Sequence, residues 1–279
     1  MTVRSWLQFA RAELNKSGIE AADLESQLLA CHVLAVNRSW LVTHADDSFP
    51  QDSGEVLLAR RLDHEPLAYI LGWREFYGRR FEVGPGVLIP RQETEVLLEC
   101  AIDRMRLAVG RPIQVLDLGT GSGCLGVSIK LELPEARVIA SDIYLAALEI
   151  AQRNGANLGA SVDFVNSDGF DNIRRGPFDL IVSNPPYIGE AEPLPREVSH
   201  FEPSEALFGG PTGLEFFERL SQEAGEHILP DGSLLLEVGY RQADKVTAIF
   251  IQNGWKHVET RQDLSGIPRS VVFKRTKKT

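Results

Sequence analysis

The amino-acid sequence predicts an α/β protein with a mostly parallel, helix-covered sheet, preceded by a small helical bundle and a β-hairpin linker. The main observation is an alternation that begins at about Arg91, where short apolar runs are separated by stretches with helical spacing. Such alternation is typical of a parallel sheet with helices on both faces. We predict seven strands, at residues 113–118, 137–142, 162–166, 178–184, 233–238, 256–260 and 269–274.

The first 73 residues show apolar side chains at helical spacing and no strand alternation, which predicts a separate helical domain. Val3, Trp6 and Ala10 share one face of the first helix, two further helices follow, and a fourth is predicted over residues 56–71. This block holds 6 Lys and Arg against 10 Asp and Glu. It is therefore not a basic arm for nucleic acid.

Residues 74–90 are predicted to form the β-hairpin linker, because Phe76, Phe81 and Val83 alternate with polar or glycine positions. Pro85-Gly86 is the predicted turn. Residues 91–279 then form one domain built on the sheet.

Composition narrows the class of protein. The net charge of −10 disfavours direct binding to a nucleic-acid backbone, which usually requires a basic face. No apolar run reaches the roughly 18 to 20 residues that span a membrane, so we expect a cytoplasmic protein with no membrane partner. The three cysteines form no CxxC pair and the histidines have no ligand spacing, so no metal is expected.

A glycine-rich loop follows the first predicted strand of the sheet. Val115 begins the run VLDLG, which leads into Gly119, Thr120, Gly121, Ser122 and Gly123. Glycines permit a tight turn and a close approach to a ligand, and the next helix directs its amides at that ligand. Asp142 ends the next strand, 21 residues after Gly121, which suits a carboxylate that accepts both ribose hydroxyls. The same motif serves NAD and S-adenosyl-L-methionine, so the loop alone leaves both open.

Asp168 and Gly169 follow the third strand of the sheet. In a nucleoside pocket the Asp168 carboxylate is placed to accept the exocyclic amine of adenine. Asp-Gly is also a common turn dipeptide, so two interpretations of this pair remain open.

The fourth strand ends in Asn184, Pro185, Pro186 and Tyr187, at the edge of the sheet where ligands bind in open α/β folds. An amide or exocyclic-amine nitrogen is a poor nucleophile, because its lone pair is delocalised. The Asn184 side-chain oxygen and the Pro185 carbonyl can accept its two N–H groups, fixing its position and taking up developing positive charge. The prolines stiffen the loop, and Tyr187 is expected to pack on the flat substrate. A dehydrogenase has no use for this arrangement, which favours methyl transfer from S-adenosyl-L-methionine.

With these motifs in place, the sequence resembles the bacterial protein-(glutamine-N5) methyltransferases of the PrmC/HemK family, which modify peptide chain release factors. The resemblance extends over nearly the whole chain. Besides the glycine loop and NPPY, it includes residues 66–72 with 74–76, Leu88-Ile89-Pro90-Arg91 with Thr94-Glu95, and Glu202-Pro203 followed by Gly209-Gly210 and Gly213-Leu214.

The resemblance implies a Rossmann-like class I methyltransferase domain with an antiparallel sheet edge. It implies that the substrate is the glutamine of the Gly-Gly-Gln motif in class I peptide chain release factors, and that the helical domain docks on them. It assigns S-adenosyl-L-methionine, with S-adenosyl-L-homocysteine as product, to residues 119–123, Asp142, Asn184 and the Asp168-Gly169 region. It places NPPY, Pro90 and Thr94 at the substrate. Two positions depart from the family pattern. Gln92 stands after Arg91, where family members commonly have proline, and Gly169 stands after Asp168, where some members have a bulky aromatic residue.

Two other functions compete with this one. The first is methylation of an amino group on adenine or guanine in DNA or RNA through the same NPPY motif, for which no target-reading domain is visible. The second is a domain that binds an adenosyl ligand without catalysis.

Overall fold

The computed structural model describes residues 1–106 and 112–276. Within these ranges the helices are α1 Val3–Lys16, α2 Ala22–Leu34, α3 Arg38–Thr43, α4 Gln51–Leu62, α5 Leu67–Leu71, α6 Thr94–Arg106, α7 Cys124–Glu132, α8 Leu145–Leu158, α9 Arg196–Ser199, α10 Ser204–Leu207, α11 Glu215–Glu223 and α12 Ala243–Gln252. The strands are β1 Trp73–Phe76, β2 Arg79–Glu82, β3 Gln114–Leu118, β4 Arg137–Asp142, β5 Asp163–Asn166, β6 Phe178–Ser183, β7 Ile228–Glu237, β8 Trp255–Gln262 and β9 Pro268–Arg275. Among the described helices, none is both long and apolar enough to cross a membrane.

The chain divides into two compact units, and the first is helical. It comprises Met1–Trp73 together with Leu194–Phe201, a short segment that the sequence had assigned to the sheet domain. Helix α1 is capped at its N-terminus by Thr2, whose side chain accepts a hydrogen bond from the backbone N–H of Ser5. Its apolar face is fully buried and the ring of Trp6 stacks on Phe49. The face predicted from Val3, Trp6 and Ala10 therefore packs in the core of this unit.

The predicted fourth helix, residues 56–71, is wrong as a single element. The structure has α4 and α5 there, separated by residues 63–66. A proline lacks the N–H that a helix interior requires and disfavours helical backbone in the residue before it, so Pro66 prevents continuation. His64 in this break has a φ of 66°, in the left-handed region. The leucine spacing spans the break because both helices bury apolar faces in the same core.

The hairpin also differs from its prediction. Strands β1 and β2 are joined at Tyr77-Gly78, whose φ angles are 49° and 70°. Two left-handed residues in a two-residue loop match the right-handed twist of the flanking strands. Pro85-Gly86, the predicted turn, lies beyond β2 instead.

The second unit, Arg74–Pro193 with Glu202–Thr279, contains the main sheet. Seven of the described strands pair in the order β5-β4-β3-β6-β7-β9-β8. The pairs from β5 to β7 are parallel, whereas β9 runs antiparallel to both β7 and β8. The predicted mostly parallel seven-stranded sheet is confirmed. The strand order reverses between β3 and β6, the position at which such sheets open a crevice for ligands.

Both faces of the sheet are buried. Along β7, Leu234 and Leu236 enter one apolar cluster with Phe217 and Phe250, whereas Leu235 enters a second cluster on the opposite face. Neighbouring side chains of a strand point to opposite faces, so a strand covered on both sides is apolar at every position. This explains why the strands were recognisable as short continuous apolar runs.

Candidate active site

A cavity of about 410 Å³ opens at the carboxyl ends of β3, β4, β5 and β6. This volume lies in the range of roughly 300 to 1,000 Å³ that is usual for small-molecule sites. Its wall includes most of the residues that the sequence singled out, namely Pro90, Thr94, Gly119, Thr120, Gly121, Ser122, Asp142, Asp168, Gly169, Asn184, Pro185 and Pro186. Within the described ranges, no three His, Cys, Asp or Glu side chains are placed to hold a metal ion.

The glycine loop after β3 presents backbone to this cavity. Gly119 and Gly121 have φ angles of 73° and 55°, and an added Cβ at either would meet no atom within 4 Å. The amides of Gly119 and Thr120 both donate to the Ser141 carbonyl, at 2.8 and 2.9 Å, which fastens the loop to β4. Gly123, by contrast, is not among the lining residues, because its Cα faces Ala151 of α8, where a Cβ would lie 3.1 Å away. It permits close helix packing, and its predicted contact with the cofactor stays a prediction.

Sequence reasoning assigned no role to Asp117, which lies beneath this loop. Its fully buried carboxylate accepts hydrogen bonds from the Thr120 hydroxyl and the Gly126 amide. Burial raises its pKa to about 6. An acidic residue in an apolar strand, two positions before Gly119, was the available signal.

Asp142 is held rigidly at the end of β4. One carboxylate oxygen accepts the Gly121 amide at 2.9 Å and the other accepts the Tyr144 amide at 3.0 Å. Burial raises its pKa, and these backbone hydrogen bonds oppose the shift. A carboxylate oxygen can accept a second donor, so both oxygens can still bind hydroxyl groups of a ligand.

The end of β5 contains an ion pair that the sequence did not indicate. Arg219 of α11 lies 2.6 Å from the Asp168 carboxylate, and both residues line the cavity. A Cβ on Gly169 would come within 2.8 Å of the same guanidinium. Gly169 therefore leaves room for Arg219. The Asp168 carboxylate is already paired with this guanidinium. An adenine contact by Asp168 stays a prediction.

Asn184 follows β6 directly, and its side-chain NH2 group donates to the hydroxyl of Thr94 at 3.3 Å. The side-chain oxygen is then the atom that remains to accept a hydrogen bond. The strand end is itself fixed, because the Ser183 hydroxyl donates to the Leu118 carbonyl at 2.7 Å. The glycine loop and the NPPY segment are thus tied together.

Tyr187 has partners that the sequence did not indicate. It is partly buried against the apolar cluster of Phe217 and Phe250, and it is not among the residues that line the cavity. Its hydroxyl donates to Glu237 at 3.4 Å, and its carbonyl accepts the Gln242 side chain at 2.8 Å. Tyr187 therefore anchors the loop to the neighbouring strand, and packing of its ring on a substrate stays a prediction.

A glycine-rich segment packs directly on the NPPY backbone. The Ile188 amide donates to the Leu207 carbonyl at 3.0 Å, and the Gly209 amide donates to the Ile188 carbonyl at 2.9 Å. An added Cβ on Gly209 would lie 2.3 Å from the Pro186 carbonyl oxygen, and one on Gly213 equally close to that of Tyr187. These glycines are required because the two backbones approach each other closely.

The segment before α6 forms another wall of the cavity. Buried Glu202 accepts the Ile89 amide at 3.0 Å and the Arg91 side chain at 2.5 Å. This holds Pro90, Arg91 and Thr94 at the cavity. Both predicted substrate residues, Pro90 and Thr94, line the same cavity as Asn184, and Thr94 contacts Asn184 directly.

Two family models match the chain. One is described as the PrmC N-terminal domain and matches residues 5–72, and the other as the methyltransferase small domain and matches residues 92–196. The release factor glutamine methyltransferase of Koribacter versatilis (strain Ellin345) is 41% identical over 98% of this chain and 98% of that protein. The bifunctional methyltransferase of Rickettsia conorii is 36% identical over 98% of this chain, which spans 57% of that longer protein.

Solved structures share the fold. A methyltransferase from Pyrococcus furiosus superposes with a TM-score of 0.53 at 19% identity, covering 81% of this chain and 98% of that one. Together with the sheet order, this likeness confirms the predicted Rossmann-like class I methyltransferase fold.

Proposed function

The chain belongs to the release factor glutamine methyltransferase family, and on this premise we propose the reaction that it catalyses. It transfers a methyl group from S-adenosyl-L-methionine to the side-chain amide nitrogen (N5) of the glutamine in the Gly-Gly-Gln motif of class I peptide chain release factors. Full-length relatives that are 40 to 42% identical and carry this name support the assignment. A protein that methylates release factors is expected to act in the cytoplasm.

The observation that carries the proposal is the hydrogen bond from the Asn184 NH2 group to Thr94 at the cavity wall. It leaves the Asn184 oxygen to accept one N–H of the substrate amide, and the Pro185 carbonyl to accept the other. Two acceptors hold the nitrogen in place and take up the positive charge that develops on it. No strong base is needed, because the proton becomes acidic only after the methyl group has been transferred.

The cavity residues fit S-adenosyl-L-methionine, which when bound supplies an electrophilic methyl group on a sulfonium. Gly119 and Gly121 leave space for close approach of a ligand, and Asp142 offers acceptors for two ribose hydroxyls. Asp168 and Gly169 border the same space, with Arg219 as their neighbour. We assign the cofactor to these residues and to the backbone of residues 119–122.

Replacing Asp142 with alanine is expected to weaken binding of S-adenosyl-L-methionine by roughly 10- to 100-fold, since hydrogen bonds to a charged acceptor contribute about 1.5–3 kcal/mol. The variant also loses the contacts that hold Gly121 and Tyr144. Isothermal titration calorimetry measures the affinity. Asp231→Ala, at an exposed position of the same unit, is the matched control. Unchanged affinity in Asp142→Ala would contradict the assignment of the Asp142 carboxylate to the ribose hydroxyls of the cofactor.

The proposed reaction is tested with two forms of one release factor. Purified enzyme and methyl-labelled S-adenosyl-L-methionine are incubated with the intact factor and with a factor whose Gly-Gly-Gln glutamine is replaced. We expect label only in the intact factor, and mass spectrometry should place it on that glutamine. Equal labelling of both factors would end the proposal.

Amino-group methylation of adenine or guanine is the second candidate, because NPPY alone suits those nitrogens as well. The net charge of −10 argues against a nucleic-acid substrate. Labelling of naked DNA or RNA in the same assay, with none in the release factor, would favour this candidate.

We assign docking on the release factor to the helical unit formed by the first 73 residues and Leu194–Phe201. Its match to the PrmC N-terminal domain supports this assignment. We assign binding of the glutamine side chain itself to residues 184–186, Pro90 and Thr94 of the second unit.

A further inference from the structure

Arg219 is a cavity-lining cation to which neither the sequence nor the proposed reaction gives a role. It lies on α11, where Phe216 stands one turn before it, and both residues line the cavity. Residues three positions apart share one face of a helix. Helix α11 therefore contributes an aromatic ring and a guanidinium together to the cavity wall.

Two carboxylates hold the guanidinium in place. Its Nη1 donates to Asp168 at 2.6 Å, and its Nε donates to Glu223 at 2.9 Å. The N–H groups of a guanidinium all lie in its plane, so carboxylates bind at its edge. Two of its three nitrogens are engaged there, which favours contact through a flat face with a ligand in the cavity.

Gly169 permits this position of the guanidinium. An added Cβ on Gly169 would lie 2.8 Å from the Nη2 atom of Arg219 and 3.3 Å from its Cζ atom. A larger residue at this position would therefore displace the guanidinium or the turn after β5. Because residue 169 has no side chain, Arg219 forms this part of the cavity wall.

The guanidinium also lies next to the residue assigned to the ribose. The backbone carbonyl of Asp142 accepts the Ser167 amide at 3.0 Å, and Asp168 follows Ser167 directly. The Asp168–Arg219 pair is therefore at the end of the strand that neighbours Asp142. In an adenosyl group the base is bonded to the ribose, so a base whose ribose is held by Asp142 must lie close to this pair.

The balance of charge favours the base over the other end of the cofactor. S-adenosyl-L-methionine also bears a carboxylate, a group that arginine binds well. Arg219 is already paired with two carboxylates, so one positive charge stands against two negative ones and a third carboxylate is repelled. A neutral, flat base meets no such repulsion and can stack on a guanidinium face.

We infer that Arg219 is a cofactor-binding residue, whose guanidinium face packs on the adenine ring of S-adenosyl-L-methionine. The inference rests on the proposed function and adds a residue that selects for a flat base. It also reconciles the ion pair with the predicted adenine contact of Asp168. One carboxylate oxygen of Asp168 holds Arg219, and the other can accept the exocyclic amine of adenine.

The test uses two probes that share the base. Isothermal titration calorimetry measures the affinity of the protein for S-adenosyl-L-homocysteine and for 5′-methylthioadenosine, which lacks the amino-acid part. We expect Arg219→Ala to bind both probes roughly 5- to 30-fold more weakly than the wild type, as for loss of a cation from an aromatic face. Arg219→Lys keeps the charge but not the plane, so it should also bind both probes more weakly than the wild type.

Arg153→Ala is the matched control. Its arginine is half-exposed and pairs with Glu82 at 2.7 Å, but it does not line the cavity. Arg153→Ala should bind both probes like the wild type. Exposed ion pairs contribute little to stability, so all three variants should fold, which thermal melting verifies.

Unchanged affinity for 5′-methylthioadenosine in Arg219→Ala overturns the inference. A loss confined to S-adenosyl-L-homocysteine would overturn it as well, because Arg219 would then contact the amino-acid part of the cofactor. Wild-type affinity in Arg219→Lys would contradict a contact through the guanidinium plane. Failure of the proposed function is distinct, since the wild type would then bind both probes without methylating the release factor.

Discussion

Asn184→Ala is expected to lower kcat for release factor methylation by roughly 10²–10³-fold, because it removes one of two preorganised acceptors for the substrate amide. The adenosyl ligand should still bind, since the glycine loop and Asp142 are fastened to each other and to β4. Single-turnover labelling measures the rate, and calorimetry measures the affinity for S-adenosyl-L-methionine.

Asn157→Ala is the matched control for this variant. Asn157 lies at an exposed position of α8 and does not line the cavity. Its replacement removes the same atoms without touching the site, so kcat should remain within about twofold of the wild type. Retained activity in Asn184→Ala would move catalysis away from NPPY, and favour a domain that merely binds the adenosyl ligand.

Gly209→Ala is expected to have a comparably large effect without altering any residue of NPPY. Its methyl group would lie 2.3 Å from the Pro186 carbonyl oxygen, so one backbone must shift. Overpacking of this kind costs about 1–3 kcal/mol of stability. A displacement of about 1 Å at reacting groups can cost about 10² in rate, and we expect a loss of kcat of that size.

Gly84→Ala separates this effect from a general cost of losing glycine. A Cβ there meets no atom within 4 Å, and its φ lies outside the left-handed region. We expect Gly84→Ala to have the same melting temperature and the same kcat as the wild type. Circular dichroism follows the melting. If Gly209→Ala kept full kcat, the close contact between the two backbones would have no part in positioning the NPPY segment.

The sheet could be predicted because its strands bear apolar side chains towards two buried faces. The run from Phe178 to Ser183 has this character, and its end was predicted to within one residue. The break between α4 and α5 was missed because both helices bury leucines in one core, so the spacing continues across Pro66. The hairpin turn at Tyr77-Gly78 was missed because Pro85-Gly86 is the stronger turn dipeptide, although only the former pair lies between strands.

The candidate site was predictable where a motif lies at the end of one strand, as for Gly121, Asp142 and Asn184. Sequence could not give the partners that come from distant segments. Arg219 reaches Asp168 across 51 positions, and Tyr187 reaches Glu237 across 50. The first contact uses the Asp168 carboxylate, for which the sequence predicts an adenine contact. The second directs the Tyr187 hydroxyl to the buried Glu237 carboxylate. Such pairings depend on the tertiary arrangement of the sheet, which no local pattern specifies.

The contact between Glu202 and the segment at Ile89 has a consequence for biosynthesis. It joins positions 113 residues apart. Closing so long a loop costs conformational entropy, which other interactions must offset before the contact contributes to stability. During translation, the wall that bears Pro90 and Thr94 cannot adopt its final position until residue 202 has left the ribosome. Nascent chains shorter than this would already carry NPPY without a completed cavity, so cofactor binding should be acquired late in synthesis.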